Sequence, residues 1–147
     1  MKMNLFVVWL PLLVGIVIAD QPQTNIPVTL NGDVLNFMMA GDFGGWPAPF
    51  YTTPTQITVA EKMGQSADVT KPSFILALGD NFYFLGVKDE RDERFKKTFE
   101  DVYTAAGLFT PWYPTMGNHD WHGNAHAQLD YSHVSKRWWA SVCSAMC

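Results

Sequence analysis

The sequence predicts an α/β fold with a parallel sheet in the order β-α-β-α-β, on three observations. Apolar runs at 34–42 (VLNFMMAGD), 73–80 (SFILALGD) and 111–118 (PWYPTMGN) each close on a glycine followed by Asp or Asn. Their length and flanks suit buried strands. Between them lie two stretches whose apolar residues recur at helical spacing. Strands with so little polar alternation suit a sheet covered on its faces.

The elements are taken in chain order. Residues 1–19 stand apart: a short cationic start (Met1-Lys2-Met3-Asn4) precedes an apolar run over 5–18, and Val17-Ile18-Ala19 sets small residues before Asp20. That is the pattern of a cleaved secretory signal peptide. A run of 14 residues is short of the roughly 20 that a membrane-spanning helix requires. After the cut, no membrane attachment is expected. Residues 20–33, with Pro22, Pro27 and Gly32, read as an extended lead-in to the first strand.

Thr53-Pro54-Thr55-Gln56 predicts a helix start, with Thr53 as N-cap, Pro54 in the first turn and Gln56 closing a capping box. Ile57, Ala60 and Met63 come next, near one face. The charged stretch 88–97 leads into Phe95, Phe99, Val102 and Tyr103, the spacing of an amphipathic helix. Two prolines in the third run predict an edge or irregular strand.

Composition bounds the function. With 147 residues, 48% hydrophobic and 16% charged, the chain is ordinary for one domain. A net charge of −4 gives no electrostatic reason to expect nucleic-acid binding. The only cysteines, Cys143 and Cys147, would close a five-residue loop at the C-terminus, so the body has no disulfide framework. No Asn-x-Ser/Thr acceptor occurs.

In a parallel sheet the carboxyl ends of the strands share one edge, where ligands bind. Asp42, Asp80 and Asn118 would converge there. Two carboxylates brought together repel unless a cation lies between them. Paired cations suit phosphate-ester hydrolysis, because they acidify a bound water and offset charge on attacking and leaving oxygens. Tyr83 adds a phenol, which ionises at acidic pH only beside a strongly Lewis-acidic ion such as ferric iron. His119 offers an imidazole to protonate a leaving group or hold phosphate. Each residue alone has a plainer reading: Asp42, Asp80 and Asn118 as turn residues, Tyr83 as packing, His126 and His133 as solvated surface. Convergence at three strand ends favours the joint reading.

The motifs GDFGG (41–45), GDNFY (79–83) and GNHD (117–120), in this order, resemble the first three metal motifs of the metallophosphoesterases. The tyrosine of GDNFY is similar to that of the purple acid phosphatases. GDNFYFLGVKDERDERFKKTFEDVY and AQLDYSHVSKRW resemble the small animal, tartrate-resistant type. The resemblance covers 35–138.

It implies the N-terminal β-α-β-α-β half of a two-sheet sandwich flanked by helices. It divides the chain into a signal peptide (1–19), the N-terminal part of a calcineurin-like domain (20–138) and a divergent tail (139–147). It implies a binuclear centre of ferric iron and a divalent ion, iron or zinc. Asp42 and Tyr83 would hold the ferric ion, Asp80 would bridge, and Asn118 would hold the divalent ion. His119 would contact phosphate and help the leaving group depart, with Asp120 steadying it. The expected substrate is a phosphate monoester or phosphoprotein, and the expected location secreted or lysosomal.

The family pattern also calls for a Val-x-x-His-like motif and Gly-His-x-His, and neither occurs in these 147 residues. Trp121 stands where many animal members carry histidine. The expectation is therefore a truncated acid phosphatase, inactive alone, with one sheet face open. The alternative is a non-enzymatic secreted short form that binds metal weakly or associates with the complete enzyme. A purely divalent phosphodiesterase is disfavoured, since it has no use for the Tyr83 phenolate.

Overall fold

A computed structural model describes residues 2–8, 28–29 and 35–140. The sheet has five strands in the order β2-β1-β3-β4-β5. These are β1 (Lys2–Val8), β2 (Val28–Thr29), β3 (Leu35–Ala40), β4 (Phe74–Ala77) and β5 (Trp112–Pro114). β1, β3, β4 and β5 run parallel, and β2 is antiparallel to β1. The three expected strands are present with trimmed ends, and the prolines hold β5 to three residues at the sheet edge. β1 lies inside the expected signal peptide and pairs with the whole of β3, from Met3 opposite Leu35 to Val8 opposite Ala40. The cut after Ala19, most of the lead-in and the cysteine pair lie outside the described residues.

Register divides the sheet into unlike faces. Met38, Ile75 and Trp112 align across three strands, as do Ala40, Ala77 and Pro114, and all six are buried. This face meets helix α1 (Pro54–Thr70) and the aromatic cluster Phe95, Phe99, Tyr103 and Trp138. On the other face Met39 and Leu76 align with Tyr113, which is 43% exposed, and Phe74 stacks on Phe37 at 5.1 Å.

The start of α1 is set locally. Thr53 Oγ1 accepts from Gln56 N at 3.0 Å, and Pro54 occupies the first turn. The capping box does not close: Gln56 is buried, and its amide donates to the Thr98 carbonyl at 2.9 Å. The buried side of α1 carries Gln56, Ala60, Met63, Gly64 and Ala67, while Ile57 is exposed. Lys71 ends the helix in the left-handed region (φ 48°), with Pro72 after it.

The second helix starts later than its charge pattern suggests. Asp89 accepts from Arg91 N, and Asp92 accepts from Lys88 N and Arg94 N. These side-chain caps hold 88–92 in turns. The helix beyond them, Phe95–Glu100, is a π-helix closed by Asp101 N donating to Lys96 O at 2.8 Å. Phe95, Phe99 and Tyr103 are buried as the spacing required.

Arg137 fastens the far end of the chain to this helix. It is buried, pairs with Glu100 at 2.7 Å and donates to the Tyr103 carbonyl at 2.6 Å. Its guanidinium lies over Phe99 and Phe109. Beside it Trp138 bridges to Trp112 and donates to the Gln128 carbonyl.

Candidate metal centre at the carboxyl edge of the sheet

β3 and β4 both end in Gly-Asp, and both aspartates take the left-handed conformation, at φ 57° for Asp42 and φ 50° for Asp80. Such backbone is uncommon outside glycine, and Asp tolerates it better than most residues. Asp42 N donates to the Gly79 carbonyl at 3.1 Å, which ties the two strand ends together. The third strand end joins through Gly117. A Cβ there would collide with Asp80 Oδ1 and with the Asp80 backbone nitrogen, so only glycine permits the approach. Beyond it, His119 N donates to Asp80 Oδ1 at 3.0 Å from the short helix α2 (Asn118–Trp121).

Tyr83 completes the convergence. Its hydroxyl donates to Asp42 Oδ1 at 2.5 Å and lies 3.1 Å from Asp80 Oδ2. Burial pushes the phenol pKa up, and the Asp42 hydrogen bond and the two carboxylate charges push it further. The Tyr83 ring is 4.6 Å from that of His119, and the His122 ring lies 5.4 Å beyond. His119 Nδ1 is 2.9 Å from the Phe84 carbonyl. A carbonyl only accepts, so Nδ1 carries the proton in this contact and Nε2 is left to exchange one.

Asn118 sits next to His119 with its side chain exposed. Asp120 points the other way. It is fully buried and accepts from Gly117 N and Asn81 N on one oxygen, and from Phe82 N and Gln128 Nε2 on the other. Burial raises its pKa, against the lowering effect of these donors. In this structure the contact at Nδ1 is the Phe84 carbonyl, and Asp120 joins the loop after β4 to the loop after β5. Asn81 was legible as the residue following Asp80, but Gln128 carried no local signal. His126 and His133 are exposed, as their plainer reading had it.

The donor set suits a hard cation. The Tyr83 hydroxyl donates toward both carboxylates, and a metal ion bound among them would take the place of its proton. Among the described residues no group of three or more His, Cys, Asp or Glu side chains could hold a metal. Asp42, Asp80 and Tyr83 converge at this edge, with Asn118 and His119 adjacent. Bound there, a metal would supply Lewis acidity and an activated water.

The chain matches the calcineurin-like phosphoesterase family over residues 35–144 and belongs to that family. Its relatives are acid phosphatases. It is 48% identical to human tartrate-resistant acid phosphatase type 5 over 71% of this chain and 32% of that protein. The mouse protein of the same name is 41% identical over 92% of this chain and 38% of that one. Purple acid phosphatase 17 of Arabidopsis thaliana is 35% identical over 76% of this chain and 32% of that protein. The chain thus spans about a third of the length of these relatives. A solved structure, GAP50, described as the anchor in the inner membrane complex of Plasmodium, aligns with TM-score 0.58 and 30% identity over 71% of this chain and 31% of its own.

Proposed function

We propose that this chain carries the N-terminal portion of an acid phosphatase site that hydrolyses phosphate monoesters at a binuclear centre of ferric iron and divalent iron or zinc. The observation that carries the reading is the Tyr83 hydroxyl held between Asp42 and Asp80. As a phenolate, Tyr83 would match ferric iron better than a divalent ion. Asp42 and Tyr83 would hold the ferric ion, Asp80 would bridge, and Asn118 would hold the divalent ion. His119 would donate a proton to the departing alcohol. Phosphoproteins are among the substrates in reach, and the apolar N-terminus supports a secreted or lysosomal setting.

Within these residues the ligand shell is incomplete, so weak metal binding and little turnover are expected of the chain alone. The partial shell equally supports the second reading, a non-enzymatic secreted form that binds metal weakly or associates with the complete enzyme. One experiment tests both. The 147-residue chain is titrated with ferric nitrilotriacetate and zinc, and visible absorption and p-nitrophenyl phosphate hydrolysis are followed at acidic pH. A weak visible band that disappears in Y83F, with little turnover, is the expected result. No band at any iron concentration would refute the phenolate assignment. Tight iron binding with sustained turnover would refute the incomplete shell.

A further inference from the structure

The loop that carries Tyr83 is gripped from two sides by buried charges. On one side the Asp120 carboxylate accepts the Asn81 and Phe82 N–H groups. On the other, Arg94 donates through Nη1 to the Gly86 carbonyl at 2.9 Å and through Nη2 to the Gly44 carbonyl at 2.6 Å. The Gly44 carbonyl also accepts from Tyr83 N at 3.2 Å, so Arg94 and Tyr83 share one acceptor on the loop that follows Asp42. The Arg94 guanidinium lies 5.5 Å from the centre of the buried Phe82 ring.

Arg94 is 6% exposed, and among the described residues it has no carboxylate within salt-bridge distance. Burial pushes its pKa down to about 10, and the negative charges of Asp92 and Asp120 act against that shift, so it stays charged at neutral pH. A cation that makes no ion pair is held here by two carbonyls, from the loops carrying Asp42 and Tyr83. Asp120, the other buried charged side chain at this loop, accepts from N–H groups where Arg94 donates to carbonyls.

We propose that Arg94 and Asp120 are a pair of positioning residues that present the Tyr83 hydroxyl to Asp42 and Asp80 before any metal ion arrives. This rests on the reading of Tyr83 as a ligand. The planar fork of arginine reaches both carbonyls at once, whereas a lysine ammonium at the same place serves one point.

The test compares the full chain with R94K, D120N and the double variant by residue-resolved amide exchange without metal. The Tyr83 and Gly86 amides, which donate to Gly44 O and Phe82 O, report the loop. The Ile75 and Leu78 amides, which donate to Pro111 O and Ala40 O, report the sheet. R94K is expected to speed exchange at Tyr83 and Gly86 at least tenfold relative to Ile75 and Leu78. The double variant is expected to show less than the product of the two single effects. Equal acceleration at all four amides, or none at the loop, would overturn the proposal. Ferric titration of the same variants adds a spectroscopic readout: R94K should need several-fold more iron to reach half of the tyrosinate band. If the unaltered chain shows no band, the ligand reading fails, and amide exchange still decides whether the pair holds the loop.

Discussion

The Tyr83 hydroxyl and Asp42 Oδ1 are 2.5 Å apart, and that one hydrogen bond joins the ends of two strand–loop units separated by 41 residues. Y83F removes a donor shared by two carboxylates. Hydrogen bonds to charged groups are worth about 1.5–3 kcal/mol each, and Asp42 and Asp80 are only half-buried, so water recovers part of the loss. A fall of about 1–2 kcal/mol in stability is expected, read from the urea midpoint of the metal-free chain.

Tyrosine ionisation supplies a pH test. The chain has five tyrosines, and burial raises the pKa of Tyr83, Tyr103 and Tyr131. Above the ordinary value of about 10, the unfolded chain loses these protons while the folded chain keeps them. The folded state then binds more protons, so stability falls as pH rises through this window. Ultraviolet titration near pH 11 should show fewer tyrosinates in the folded chain than in denaturant, and Y83F should narrow the gap by one. Equal counts in the two states would contradict the burial argument.

Asp120→Asn keeps shape and removes charge. An amide oxygen can replace one carboxylate oxygen, and Gln128 can turn its own amide, but one backbone N–H is left facing an NH2 group. The expected cost is about 1–3 kcal/mol. A cost near zero in chemical denaturation would mean that the four hydrogen bonds of Asp120 do not hold its two loops together.

Arg137→Ala should be the most damaging single change away from the site. It removes the cation paired with Glu100 Oε2, frees the carbonyls of Tyr103 and Glu100, and uncovers Phe99. Breaking a buried pair from one side costs about 3–5 kcal/mol. Glu100→Gln should cost less, because the Glu100 side chain is 26% exposed. Thermal or urea unfolding that ranks the two the other way would assign the stabilisation to the carboxylate.

A chain starting at Asp20 lacks β1, so one edge of β3 loses its parallel partner. Some of the Leu35–Ala40 amides should then exchange faster than in the 147-residue chain, while those of β4 are unchanged. Identical exchange in the two chains would show that β1 contributes nothing to the ladder.

Legibility in the sequence tracked the range of the interactions. Thr53 and Pro54 announce α1 because capping is a three-residue affair, whereas Gln56 is decided by Thr98, far along the chain. The charged stretch 88–97 reads as helix until Asp89 and Asp92 turn back on their own backbone. The convergence of Asp42, Asp80, Tyr83 and His119 was legible because parallel strands deliver their carboxyl ends to one edge. The tasks of Asp120, Gln128 and Arg94 were not, because each depends on partners that only the folded backbone brings near.

If residues 1–19 act as a leader, the pairing of β1 with β3 would make biosynthesis and folding rivals for the same residues. A processing enzyme would then have to draw in the backbone near Ala19, eleven residues past the last β1 residue, Val8. A chain cut before the sheet assembles never acquires its fourth parallel strand. A chain that assembles first keeps its leader tethered to the sheet. The order of those two events would then set which of two sheets the cell receives from one message.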